Sequence, residues 1–219
     1  MMTELSFEKQ VDELVLIFPK LRKVVTEDNI AIIRGELEVI DRDGKHWETY
    51  QVEIHPRDGF PYCFPLVFET SGKIPRISDW HVYEDTESCC IAVEPEEYLI
   101  CKDGLSLTTF VRNHVLPYFF NQTFRKVEGY YKNGEYAHGK AGIYQFYDEA
   151  LKTKGNVKET IRLMVAVAET RKPGRTHLCF CGSKQKFRKC HREGYEKLVA
   201  LGKEMLYRHA DAFLKAISK

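Results

Sequence analysis

The segment "HLCFCGSKQKFRKCHRE", residues 177–193, sets Cys179 and Cys181 one residue apart and, eight residues on, Cys190 beside His191. Three thiolates and an imidazole make a set suited to tetrahedral Zn²⁺ in a closed structural site. Gly182-Ser183 permits the tight turn that lets the first two thiolates converge, and the basic spacer with Lys184, Lys186, Arg188 and Lys189 offsets their charge. A redox Cys-x-Cys pair would leave Cys190 and His191 without a role. The expected cofactor is therefore a structural zinc that does no chemistry and holds a peptide too small to fold alone.

The other thiols are arranged differently. A thiolate is nucleophilic near neutral pH, and a thioester keeps its carbonyl reactive toward an amine. "SCCIAV" surrounds Cys90 with small and apolar residues, a setting that raises a thiol pKa, whereas "ICKDG" puts Cys101 beside Lys102 on what reads as a polar, Gly-containing loop. Local context thus favours Cys101 over Cys90 as a nucleophile, and core packing of both is the inert alternative. His81 is a candidate base or a loop histidine bound to backbone. Asp103 reads as a turn cap or a proton acceptor, His138 as a second base if the chain returns to the thiol loop, and Cys63 in "PYCFP" as packing. Glu94, Glu96 and Glu97 read as solvated surface.

The elements that must position these groups follow from periodicity. Phe7, Val11, Leu14, Val15 and Phe18 recur at helical spacing and predict an amphipathic helix over residues 5–22. Strand-like runs follow at 30–40, 46–55 and 65–70, with Asp43-Gly44 as a hairpin signal between the first two. Ser71 to Gly104 has few regular signals, and so long a loop in a compact domain is usually functional. Ser106 can cap a further helix that Pro117 interrupts. The order is helix, meander, long loop, helix.

The net charge of +1 conceals a division: residues 151–219 carry 17 Lys/Arg against 6 Asp/Glu, and residues 1–150 carry 16 against 26. A helical signal after Gly155-Asn156 and the Pro173-Gly174 turn suggest three segments: a domain over 1–150, a helical linker over 151–176, and a zinc motif with a C-terminal helix over 177–219. The first residues lack the basic-then-apolar pattern of a signal peptide, and no apolar run reaches the roughly 20 residues of a membrane helix. A cytoplasmic location is expected, where seven cysteines serve as ligands or reactive thiols rather than disulfides.

Two resemblances add to this reading. "GFPYCFPLVFET" resembles a stretch of the ubiquitin-conjugating enzymes at Phe60-Pro61, Pro65, Phe68 and Thr70. In "WHVYEDTESCCIAVEPEEY", His81 matches that family's His-Pro-Asn histidine, Cys90-Ile91 its catalytic Cys-Leu and Tyr98 its downstream Trp. The resemblance covers about residues 5–125 and implies an α/β (α+β) ubiquitin-conjugating-like fold with an antiparallel meander. It also implies Cys90 rather than Cys101 as the nucleophile. Val82 and Tyr83 depart from the Pro-Asn whose amide supports the oxyanion in that family. The pattern is most similar to bacterial members in type II CBASS antiphage operons, which implies conjugation of the C-terminus of a CD-NTase-type cyclic-oligonucleotide synthase through a thioester and then an isopeptide bond. A separate activating enzyme is a further possible partner, since no Gly-rich phosphate loop is present. The alternative is a catalytically silent adaptor.

The segment from residue 177 closely resembles the zinc-binding tail of the SecA translocation ATPase, the SEC-C motif, at all four ligands. Its basic surface is expected to meet an acidic protein face; the absence of an aromatic ladder disfavours nucleic acid, and no membrane partner is expected.

Overall fold

The computed structural model describes residues 7–132 and 136–218. The chain divides into two compact units: residues 1–92 with 100–135, and residues 93–99 with 136–219. This differs from a boundary at 150. The helix that ends at Leu151 belongs with the second unit because Phe146, Tyr147 and Leu151 are fully buried in that unit's core.

The first unit opens with α1 (Phe7–Ile17), which buries Phe7, Gln10, Val11 and Leu14 along one stripe. The helix is shorter than the expected 5–22. Residues 5 and 6 lie outside the described residues, Pro19 disfavours helical geometry at Phe18, and Leu21 already belongs to β1 (Leu21–Val25). This strand was not expected from the pattern. β2 (Ala31–Ile40), β3 (His46–His55) and β4 (Leu66–Glu69) complete an antiparallel meander in the order β1-β2-β3-β4. The expected hairpin joins β2 to β3: the Asp41 carboxylate accepts from the Asp43 and Lys45 amides, both at 2.9 Å, and Gly44 takes φ +80°. At Gly35 a Cβ would stand 2.1 Å from the Lys20 carbonyl, so only glycine lets the α1–β1 corner close onto β2.

The long segment after β4 is less irregular than its composition suggests. It holds a 3₁₀ turn (Ser78–Trp80) and α2 (Glu94–Cys101). The signals for α2 were present: Pro95 fits the first helical turn, and Glu94, Glu96 and Glu97 complement the positive N-terminal end. Ser106 caps α3 (Leu107–Phe110), accepting from the Thr109 amide at 3.1 Å. The helix does not stop at Pro117. A π turn (Val111–Val115), in which the Leu116 amide reaches the Val111 carbonyl, precedes Pro117, and α4 (Leu116–Glu128) runs on to a left-handed Gly129. α1 and α4 share a core with the sheet, where Tyr50 and Phe119 pack at 4.7 Å and the Tyr50 hydroxyl meets Thr123 at 3.0 Å.

The second unit is helical: α5 (Gly139–Leu151), α6 (Val157–Glu169), α7 (Arg192–Val199) and α8 (Lys203–Ile217). The single C-terminal helix expected from the sequence is two, broken where Gly202 takes φ +81°. A Cβ at Gly194 would lie 2.0 Å from the Ala150 carbonyl, so glycine sets the close approach of α7 to α5. Glu94 is exposed, as expected, and receives both Nη groups of Arg208 and the His209 ring at 3.1 Å, while His209 meets the Tyr147 hydroxyl at 2.8 Å. Arg208 first, then His209, hold the Glu94 carboxyl below its ordinary range against the opposing effect of burial.

Candidate metal centre and thiol loop

A short antiparallel ribbon builds the candidate metal centre. Leu178 bridges Lys186, the Cys179 amide donates to the Gln185 carbonyl at 2.8 Å, and the Phe187 amide to the His177 carbonyl at 2.8 Å. Left-handed Gly182 and Lys184 turn the chain between the strands. A 3₁₀ turn (Phe187–Lys189) then delivers Cys190, and His191 precedes the first turn of α7. Phe187, fully buried and edge-on to Tyr195 at 5.6 Å, anchors the ribbon.

The four ligand atoms of Cys179, Cys181, Cys190 and His191 lie within 4.8 Å of one another. Cys181 and Cys190 sulfurs are 3.6 Å apart, and His191 Nδ1 is 3.4 Å from Cys179 and 3.1 Å from Cys190. A tetrahedron with metal–sulfur bonds of about 2.3 Å and a metal–nitrogen bond of about 2.0 Å has edges of about 3.5 to 3.8 Å, which the separations of this donor set, from 3.1 Å to at most 4.8 Å, bracket. His191 Nε2 is 2.6 Å from the Leu151 carbonyl. A carbonyl only accepts, so Nε2 carries the proton and Nδ1 is left as the ligand. Burial raises the Cys179 thiol to about 11. At Cys181 burial acts the same way, but hydrogen bonding with the Ser183 hydroxyl and amide outweighs it and brings the thiol down to about 6. The sequence points to Ser183 only as a turn residue and not as the partner of Cys181, and it gives no sign of the Leu151 carbonyl. The latter is 40 positions from His191 and leaves no local signal.

In the first unit the expected thiol sites separate. Cys101 is not on a polar loop: it ends α2 and is wholly buried in the core. Lys102 and Asp103 turn outward instead and approach each other at 3.6 Å, with Asp103 almost fully exposed. Cys89 is buried too, and burial pushes its thiol to about 12. Cys90 is only partly buried.

His81 lies across from Cys90. Val82 bridges Cys89, the Tyr83 amide donates to Ser88 at 2.9 Å, and the Cys90 amide donates to the His81 carbonyl at 2.7 Å. These bonds make residues 81–90 a small hairpin with His81 and Cys90 opposite each other. α4 pins one side of it: the Tyr118 hydroxyl donates to the His81 carbonyl at 3.0 Å and Gln122 Nε2 to the Trp80 carbonyl at 3.0 Å. Arg125 stacks between Trp80 and Tyr131, and the His81 ring stands edge-on to Tyr131 at 5.3 Å. His81 itself takes φ +50°, ψ +46°. Val82 is buried, and Tyr83 is 44% exposed. Cys63 makes a thiol contact of 3.3 Å with the Asp58 carbonyl, and His138 stands at the N-cap just before α5 in the second unit.

Residues 175–193 match the SEC-C motif, a stretch that contains all four candidate ligands. No curated protein matches the chain. No solved structure matches it either. Among the described residues no helix is long and apolar enough to cross a membrane.

Proposed function

We propose that the first unit is a ubiquitin-conjugating-like domain that carries an acyl group on Cys90, and that the second holds one structural Zn²⁺ through Cys179, Cys181, Cys190 and His191. The observation that carries the first half is the hairpin with partly exposed Cys90 opposite His81, in a unit whose other candidate thiol, Cys101, is sealed in the core. The order α1, four-stranded meander, loop and closing helix also supports the family reading.

In this reading His81 takes the Cys90 proton, and the thiolate attacks the carbonyl carbon of a partner's C-terminal acyl group. The acyl bond breaks with its electron pair leaving on the donor, which is either an activating enzyme's leaving group or, for direct attack, a peptide amine that must be protonated. A lysine amine then attacks the thioester, loses a proton and releases the Cys90 thiolate, leaving an isopeptide bond. The partner that the resemblance implies is a CD-NTase-type synthase. Cys179, Cys181, Cys190 and His191 would hold the zinc, which when bound would supply folding free energy to the ribbon.

The adaptor reading is favoured by one feature. Val82 is buried and Tyr83 follows it, so no amide side chain stands two positions after His81 to receive the oxyanion. The two readings part on a non-reducing gel of the full chain with a purified CD-NTase-type synthase, with and without ATP and an activating enzyme. A thiol-sensitive adduct retained by Cys101→Ala and lost in Cys90→Ala is the expected result. No adduct under any condition favours the adaptor.

A further inference from the structure

β2 is twice as long as β1, and the difference leaves half of one edge open. β1 pairs with Ala31–Gly35 alone, and the last bond toward that side runs from the Glu36 amide to the Lys20 carbonyl at 3.2 Å. Beyond Lys20 the chain leaves the sheet through Pro19, which has no N–H to give. The Thr70 amide donates to Gln51, so Gln51 and its alternate neighbours along β3 address β4; Tyr50 and Val52 then address β2, through Leu37 and Gly35. By the same alternation Glu38 turns its N–H and C=O to the open side, where nothing among the described residues pairs with them. An unpaired strand edge is a template for an incoming strand.

This edge opens onto a cleft of about 910 Å³ in the first unit, with an apolar floor that includes Phe18, Trp47, Leu116, Pro117 and Phe120. Its charges are unevenly matched. Lys20 reaches Glu38 at 2.9 Å and Glu36 at 3.6 Å, and Asp41 accepts from the Trp47 indole at 2.8 Å. Arg112, in the π turn, and Lys132, in the turn beyond α4, have no carboxylate partner among the described residues, and Lys132 lies 5.5 Å over the Phe120 ring. Asp43 and Arg42 stand beside each other at the far rim, in the β2–β3 turn.

We propose that this cleft binds an extended acidic peptide segment of a protein partner, which adds a strand to β2 at Glu38, lays alternate apolar side chains on Trp47 and Phe120, and turns a carboxylate to Arg112 and Lys132. Backbone pairing supplies affinity in this mode, and the pockets for alternate side chains supply selectivity. The site shares no residue with Cys90, His81 or the metal ligands, so it stands or falls apart from the function proposed above.

The test uses the full chain and fluorescein-labelled peptides selected on it from a random twelve-residue library, read by anisotropy. The expected binders carry Asp or Glu next to alternating apolar residues, weaken about tenfold with Arg112→Glu, as loss of a charge-assisted contact implies, and lose binding with Glu38→Pro. Proline at a position whose N–H faces outward removes no sheet bond, so Glu38→Pro should keep its circular dichroism spectrum. If it does not fold, N-methylation of alternate peptide amides makes the same comparison on the unaltered protein. The proposal is overturned if no peptide is selected, if N-methylated peptides bind as well as their parents, or if light scattering shows a dimer that Glu38→Pro dissolves, which would make a second copy the occupant.

Discussion

Cys89, Cys90 and Cys101 are close in sequence and sit in different surroundings. Two are packed into apolar core, where a thiolate is disfavoured, and the third lies at the mouth of a hairpin opposite a histidine. Cys101→Ala should therefore act on stability alone: removing a fully buried sulfur leaves a small cavity and is expected to cost about 1 kcal/mol in urea unfolding, with adduct formation unchanged. An adduct lost in proportion to Cys101 would return the nucleophile to that position. At the candidate metal centre, Cys190→Ser replaces a soft thiolate by a hydroxyl. Zinc content by atomic absorption is expected to fall from one per chain toward none, and full retention would remove Cys190 from the ligand set.

At the scale of elements, β3 is tied to its neighbours through Glu48, which receives Lys73 at 2.7 Å and Lys126 of α4 at 3.2 Å. Burial opposes the charged form, but Lys73, the Thr49 amide and Lys126 together hold the Glu48 carboxyl at about 2, against an ordinary 4.5. A carboxyl depressed in the folded state contributes stability that is complete above its unfolded value and is lost as the pH falls from about 4.5 through about 2. Glu48→Gln should cost about 1 kcal/mol at neutral pH once solvent screening is allowed for, and its difference from the native protein should shrink as the pH falls from about 4.5 to about 2. A difference that keeps its neutral-pH size at pH 2 would assign the effect to packing. At Gly194, Ala is expected to lower the melting temperature of the second unit by several degrees, because its Cβ meets a backbone carbonyl of α5 that cannot give way.

At the scale of the molecule, each unit has its own apolar core, and the Cys/His cluster that could hold a metal belongs to the second. Chelation should consequently lower a thermal transition assigned to residues 136–218 and leave the transition of the first unit in place, with near-ultraviolet signals from Trp47 and Trp80 as its reporter. A single transition that moves as a whole would show that the units unfold together.

The Cys/His cluster of the SEC-C motif, the meander strands, the Asp43-Gly44 hairpin and the Ser106 cap could all be read in the sequence. Each depends on side-chain chemistry or periodicity within a few residues of itself. The end of α1 and the helix α2 were misread although Pro19, Pro95 and three glutamates carried local signals for them. Tertiary structure alone decided the rest. Lys102 made Cys101 look exposed, but the helix that carries it turns the sulfur into the core; the apolar neighbours of Cys90 made it look sealed, but the hairpin leaves it partly open. Solvent access to a thiol, the tautomer of His191 set by Leu151, and the burial of His209 against Glu94 all depend on groups tens of residues away. Burial and long-range hydrogen bonding are properties of the packed chain, and no local spacing encodes them.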